Sequence, residues 1–297
     1  MSIPAWLSGL VDDAAIFPPG SLPLEQAVRE HREHRASEYA DLVGGFVVSD
    51  VKLPDLITLL DVEGSDPEDS GARFGINVVV TGGAGAVEPA VRWATRAARV
   101  RLEALECALR DEDDLTRNAQ RFVSALDAVE GDLDGARVFV ELPRVVGEPS
   151  HGWLGAADEL AMRELPLKFR TGGVTSDAFP TPAELAAAID AGLDRELAFK
   201  CTAGLHHAVR HRDEETGFEH HGFLNVLLAT RLLLDGDRDA AWVALNQEDA
   251  TTVVAALTDR PPAELESTRR WFTSFGSCSV LEPHDDLVEL GLVEAGR

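Results

Sequence analysis

Hydrophobic positions along the chain recur in two alternating rhythms. Short runs rich in Val, Leu, Ile and Phe, four to eight residues long, have the length and composition of strands. They fall at Gly9–Asp12, Gly44–Ser49, Gly75–Thr81, Val100–Cys107, Arg137–Leu142, Leu167–Thr171, Ala198–Ala203 and, more weakly, Thr273–Ser277. Between them, apolar residues recur every three or four positions, as on one face of a helix. These segments are Leu24–Arg35, Pro54–Leu60, Ala86–Ala97, Asp114–Val129, Trp153–Arg163, Pro182–Ala191, Gly222–Leu234 and Pro262–Trp271. Thr181-Pro182 places a capping hydroxyl before a proline at the first helical position. Strand–helix alternation implies parallel strands joined by right-handed crossovers. Eight such units predict an α/β protein, a (β/α)₈ TIM barrel formed as a single domain over residues 1–297, with a doubly wound open sheet as the alternative.

The spacing between the seventh and eighth strands is unusually long. It holds Arg210–His221 and then a helical insert that includes Arg238–Leu245 and Gln247–Leu257. On the C-terminal face of a barrel such an insert is expected to shape the substrate pocket. The stretch Glu63–Arg73 (EGSDPEDSGAR) reads as an acidic surface loop.

Charge narrows the range of partners. The chain carries 52 acidic against 27 basic residues, a net charge of −25. Such a surface repels phosphate backbones and anionic lipid, so neither nucleic acid nor membrane is expected as a partner. The opening MSIPAWLSGLVDDAAIF has no basic start, and Asp12 and Asp13 interrupt its apolar run, which reads against a signal peptide. The apolar run Gly222 to Leu234 is too short to span a bilayer. A cytoplasmic protein is expected. Cys107, Cys201 and Cys278 are widely spaced and form no disulfide framework or zinc knuckle.

Within the basic residues one contrast stands out. Only Lys52, Lys168 and Lys200 are lysines, leaving 24 arginines. Arginine stays protonated, whereas a lysine amine can lose its proton when its surroundings lower its pKa. Lys168 and Lys200 fall near the ends of strands six and seven, in LPLKFRTGG and LAFKCTAGLHH. Alternation puts Lys168 and Arg170 on one face of strand six, and Lys200 and Thr202 on one face of strand seven, with Phe169, Phe199 and Cys201 turned toward the helices. Two inward amines need carboxylate partners, and Glu141 on strand five is the nearest candidate. Three uses are open: Schiff-base chemistry by an amine of depressed pKa, anchoring of an anion, or a structural ion-pair network.

Other strand ends add to the same rim. Asp12 closes strand one, and strand four carries Glu103 and Glu106. Thr171-Gly172-Gly173 after strand six and Gly276-Ser277-Cys278-Ser279 after strand eight could cradle a phosphate or carboxylate, which makes Gly173, Ser277 and Ser279 binding candidates. Gly82-Gly83-Ala84-Gly85 reads as a tight turn. Cys278 reads as a buried thiol, with a nucleophile as the alternative. His206 is a candidate general acid or base and His207 a candidate binding residue. With Glu141 or Asp12, the histidines could instead hold a divalent metal, but adjacent side chains point apart and no HxH or HExxH pattern is present.

The lysine motifs KFRTGG and KCTAG resemble those of deoxyribose-phosphate aldolase and its class I aldolase relatives. That resemblance implies that Lys168 forms the imine and Lys200 lowers its pKa, although the roles could be exchanged. Glu103 is the nearest match to the family's strand-four acid. Arg170 and the His206-His207 pair depart from its pattern. The wider set DDAAIFPPG, KFRTGG, FKCTAGLHH, HHGFLN and FGSCS resembles a bacterial barrel family with no assigned reaction. Taken together, the expectation is an aldolase-like lyase acting on a small anionic carbonyl compound without a cofactor, with self-association open. Lys168, Lys200, Glu141 and His206 are the catalytic candidates; Arg170, Asp12, Thr202, His207, Gly173, Ser277 and Ser279 are the binding candidates. The rivals are a metal-dependent lyase or hydrolase and a barrel that only binds a ligand.

Overall fold

The computed structural model describes residues 3–63, 73–110 and 112–294. Most of the predicted acidic loop lies outside these residues. Eight parallel strands close into a barrel: β1 (Val11–Asp13), β2 (Val43–Ser49), β3 (Phe74–Val80), β4 (Val100–Ala108), β5 (Arg137–Glu141), β6 (Leu167–Arg170), β7 (Phe199–Thr202) and β10 (Phe272–Ser277). β10 sits between β7 and β1 and completes the ring. The weak eighth run of the sequence is therefore a full member of the sheet. Gly9 precedes β1 rather than belonging to it. Its φ of +59° suits a glycine, and its N–H donates to the Asp41 carbonyl at 2.7 Å.

The helices cover the outside. They are α1 (Leu24–Ala36), α2 (Leu53–Glu63), α3 (Val87–Arg96), α4 (Leu115–Asp127), α5 (His151–Ala161) and α6 (Pro182–Leu193), each between successive strands. α6 starts as its sequence predicts. Thr181 Oγ1 accepts from the Glu184 N–H at 3.3 Å, and the Glu184 carboxylate accepts from the Thr181 N–H at 2.8 Å.

The long segment between β7 and β10 begins with a hairpin, β8 (His211–Arg212) and β9 (Glu219–His220), that the sequence rhythm did not predict. α7 (Phe223–Leu234), α8 (Arg238–Asn246), α9 (Ala250–Thr258) and α10 (Pro262–Thr268) follow. α7 is buried on nearly every side, because the rest of the insert packs over its outer face. Its first residue, Phe223, stacks on Phe275 of β10 at 5.0 Å, which fixes that strand's outward face. A further helix, α11 (Leu281–Glu289), follows β10. Among the described residues no helix is long and apolar enough to cross a membrane.

Strand register positions the chemistry. Lys168 lies level with both Glu141 on β5 and Lys200 on β7, and Arg170 lies level with Thr202. The intervening rings, Phe169 and Phe199, face the helices and meet at 5.1 Å, and Phe199 stacks on Phe272 at 5.3 Å. This outward aromatic layer holds the inward side chains to one orientation.

Candidate active site

Both amines point into the barrel. Lys168 and Lys200 are 3% and 1% exposed. Lys200 Nζ lies 2.6 Å from Asp12 Oδ2 and 2.5 Å from Glu106 Oε1, with the Phe139 ring 5.4 Å away. Lys168 Nζ lies 2.8 Å from Glu106 Oε2 and 3.1 Å from Glu141 Oε2. Glu106 thus gives one carboxylate oxygen to each amine. Glu141 passes the chain on, its Oε1 accepting from Arg170 Nε at 2.9 Å. Asp12 is fixed from behind by Ser274 Oγ at 2.7 Å and the Gly45 N–H at 3.0 Å. Three carboxylates and three cations alternate in a single file. Buried charges are tolerated only with this kind of pairing.

The electrostatics of Lys200 are those of a charged amine. Burial alone would push the Lys200 pKa down, but Asp12 and Glu106 outweigh it and hold the amine above its ordinary value. Lys200 stays charged and has its charge matched by carboxylates. Burial likewise opposes ionisation of Glu106, yet Lys168 and Lys200 bring its pKa down to about 2. Glu141 is also lowered, by Lys168 and Arg170 against burial.

Above the amines lies a pocket of about 830 Å³ lined by Glu106, Lys168, Arg170, Lys200 and Thr202 among others. The Arg170 side chain is 47% exposed, so it stands at the mouth rather than beside the amines, linked to Lys168 through Glu141. Gly172, Gly173 and Gly204 line the pocket too. A Cβ on Gly172 would come within 2.9 Å of Gly204 Cα, so the β6 and β7 loops approach at a distance only glycine permits.

Several candidates occupy other positions. Asp12 and Ser277 are buried and do not line the pocket. Asp12 buttresses Lys200. Ser277 Oγ accepts from the Ser279 N–H at 3.3 Å and lies 3.4 Å from His206 Nδ1, while Ser279 Oγ accepts from the Glu282 N–H at 3.2 Å at the start of α11. Both hydroxyls are occupied in shaping that turn. His206 and His207 do line the pocket but turn to different carboxylates: His206 Nδ1 is 3.1 Å from Glu282 Oε2, and His207 Nδ1 is 3.1 Å from Asp286 Oδ2. Among the described residues no group of three or more His, Cys, Asp or Glu side chains is placed to hold a metal ion.

Glu103, the nearest sequence match for the strand-four acid, does not reach the amines; it pairs with Arg101 and packs against Gly75. Glu106 is the strand-four acid that reaches them. The register between β3 and β4 shifts at this point: Ile76 pairs with Leu102 and Asn77 with Ala104, leaving Glu103 as the extra residue.

His206 carries its own pH signature. Burial lowers its pKa, but Cys278 and Glu282 outweigh that and raise it to about 9. A raised folded value stabilises the protein fully below the ordinary 6.5, and that contribution is lost as pH rises through about 9. His206→Gln is therefore expected to flatten the loss of thermal stability between pH 6.5 and 9. An unchanged slope in melting experiments across that range would refute the pairing.

The architecture is that of a TIM barrel with a lysine pair at its core. Among solved structures it is similar to a deoxyribose phosphate aldolase from Aeropyrum pernix, with a TM-score of 0.54, 11% sequence identity, and 97% of this chain and 93% of that chain covered. At that identity the likeness shows the fold. No family model matches the chain, and no curated protein matches it.

Proposed function

We propose that the chain is an aldolase-like lyase that cleaves or forms a carbon–carbon bond in a carbonyl compound bearing an acid group, through an imine on Lys168. The observation that carries this reading is the Glu106 carboxylate held between two buried amines at the floor of the pocket. A lysine must be neutral to attack a carbonyl. Glu141 at 3.1 Å is within reach to accept the Lys168 proton, whereas Glu106, its pKa held at about 2, stays ionised between the amines.

The neutral amine adds to the carbonyl carbon, and the resulting carbinolamine loses its hydroxyl as water to give an iminium. When a base removes the proton of the β-hydroxyl, the bond between the α and β carbons breaks and its electron pair flows into the iminium to give an enamine. An aldehyde leaves, and the remaining enamine is protonated and hydrolysed to release the second product. Lys200, held charged, supplies a fixed positive centre beside the reacting carbon. His206, protonated at neutral pH, suits an acid or an anion contact better than a base. Arg170 at the mouth suits the substrate's acid group. Self-association belongs to the same proposal, since the similar aldolase is described as tetrameric.

Borohydride reduction in the presence of candidate aldehydes and ketones tests the reading. The expected result is a stable mass increase on the peptide carrying Lys168. Absence of any adduct across ketones, aldehydes and 2-oxo acids would overturn it.

A further inference from the structure

The pocket has a wall that imine chemistry does not use. Phe179, from the loop after β6, lies 5.5 Å from Phe218 and 4.5 Å from His220, both on the hairpin. His220 stacks on His211, its cross-strand partner, at 5.2 Å. All four rings line the pocket, and Phe17 lines it from the loop after β1. Burial lowers the pKa of both His211 and His220, so these imidazoles are neutral and behave as further aromatic surface at pH 7. The hairpin turn adds two carboxylates, Asp213 and Glu215, to this side of the pocket, and the His207 ring meets His211 at 4.7 Å.

These features select against one ligand class and for another. A phosphate ester needs several donors or cations, and against the Phe179 and Phe218 rings it would find none. A flat apolar group would be desolvated against rings at stacking distance. The volume of about 830 Å³ is that of pockets enclosing drug-sized ligands, well beyond a three- or four-carbon carbonyl compound. We infer that the substrate carries, beyond its carbonyl and acid group, a planar aromatic substituent that lies against Phe179, Phe218, His211 and His220, in place of a phosphate. This rests on Lys168 as the carbonyl-binding residue, and it sets the class of substrate as an aryl-bearing oxo acid or aldehyde.

Binding of probes without a carbonyl tests the wall apart from the imine. In calorimetric titrations of the full chain, 3-phenylpropionate is expected to bind at least about tenfold more tightly than glycerol 3-phosphate. Phe218→Leu, which keeps the apolar packing of the hairpin but removes the ring, is expected to weaken phenylpropionate about three- to tenfold and leave glycerol 3-phosphate unchanged. Glu215→Gln is expected to strengthen glycerol 3-phosphate only. Equal or tighter binding of the phosphate ester, no measurable binding of phenylpropionate, or indifference to Phe218→Leu would each overturn the inference. If phenylpropionate binds as expected while no carbonyl compound gives a reduced adduct, the wall stands and the imine reading falls. If adducts form faster with phosphorylated than with aryl aldehydes, the imine reading stands and the wall inference falls.

Discussion

Glu106→Gln is expected to destabilise the protein by about 3–5 kcal/mol at pH 7. The change keeps the shape of the side chain but removes the one negative charge that both amines share, at 2.8 Å from Lys168 and 2.5 Å from Lys200. Two ammonium groups would then rest on Asp12 and Glu141 alone, in a site from which water is largely excluded. The acid limb supplies the sign. The Glu106 pKa of about 2 lies below its ordinary 4.5, so its stabilisation is fully present above pH 4.5 and lost as pH falls through about 2. Wild type and variant are therefore expected to differ most near neutrality and to converge in acid. Urea unfolding at a series of pH values measures this. A difference under about 1 kcal/mol at pH 7 would mean that the ion file contributes little to the fold.

The second large effect concerns chemistry. Lys168→Met is expected to abolish the reducible adduct and to lower turnover by about 10³-fold or more. Lys168→Arg, which keeps a cation beside Glu106 and Glu141, separates loss of the nucleophile from loss of the fold, and is expected to remain as inactive. Lys200→Met is expected to retain an adduct on Lys168 but to form it about 10²- to 10⁴-fold more slowly. An undiminished adduct in Lys168→Met, located on Lys200, would exchange the two roles. Peptide mapping of the reduced protein reads each outcome directly.

The barrel was legible because strands buried on both faces write themselves as short apolar runs, and the helices between them repeat at 3.6. Even the weak run at Thr273–Ser277 proved to be a strand, observed over Phe272–Ser277. The inward pair was legible for a different reason: alternation across Lys168-Phe169 and Phe199-Lys200 leaves the rings outside and the amines inside. Strand four resisted the same reasoning. A period of two cannot be counted through a bulge, and the extra residue at Glu103 left two acids with no rule to choose between them. The hairpin escaped because each of its strands has two residues, too few to show a rhythm. Its turn is set by Asp213, whose carboxylate accepts from the Thr216 N–H at 2.7 Å, and by Gly217 at a φ of +72°. α11 was hidden in an acidic stretch, LEPHDDLVE, whose buried residues are only Pro283 and Leu287.

The amines and their carboxylates hang from strands, whereas three of the four rings in the wall above them (Phe218, His211 and His220) hang from a hairpin between β7 and α7. Strands of a closed sheet cannot drift without breaking registry with two neighbours, but a surface hairpin answers only to its own turn and to whatever lies beneath it. A lineage of such barrels could therefore exchange one ligand tail for another by rewriting residues 211 to 220, leaving the bond-making core untouched.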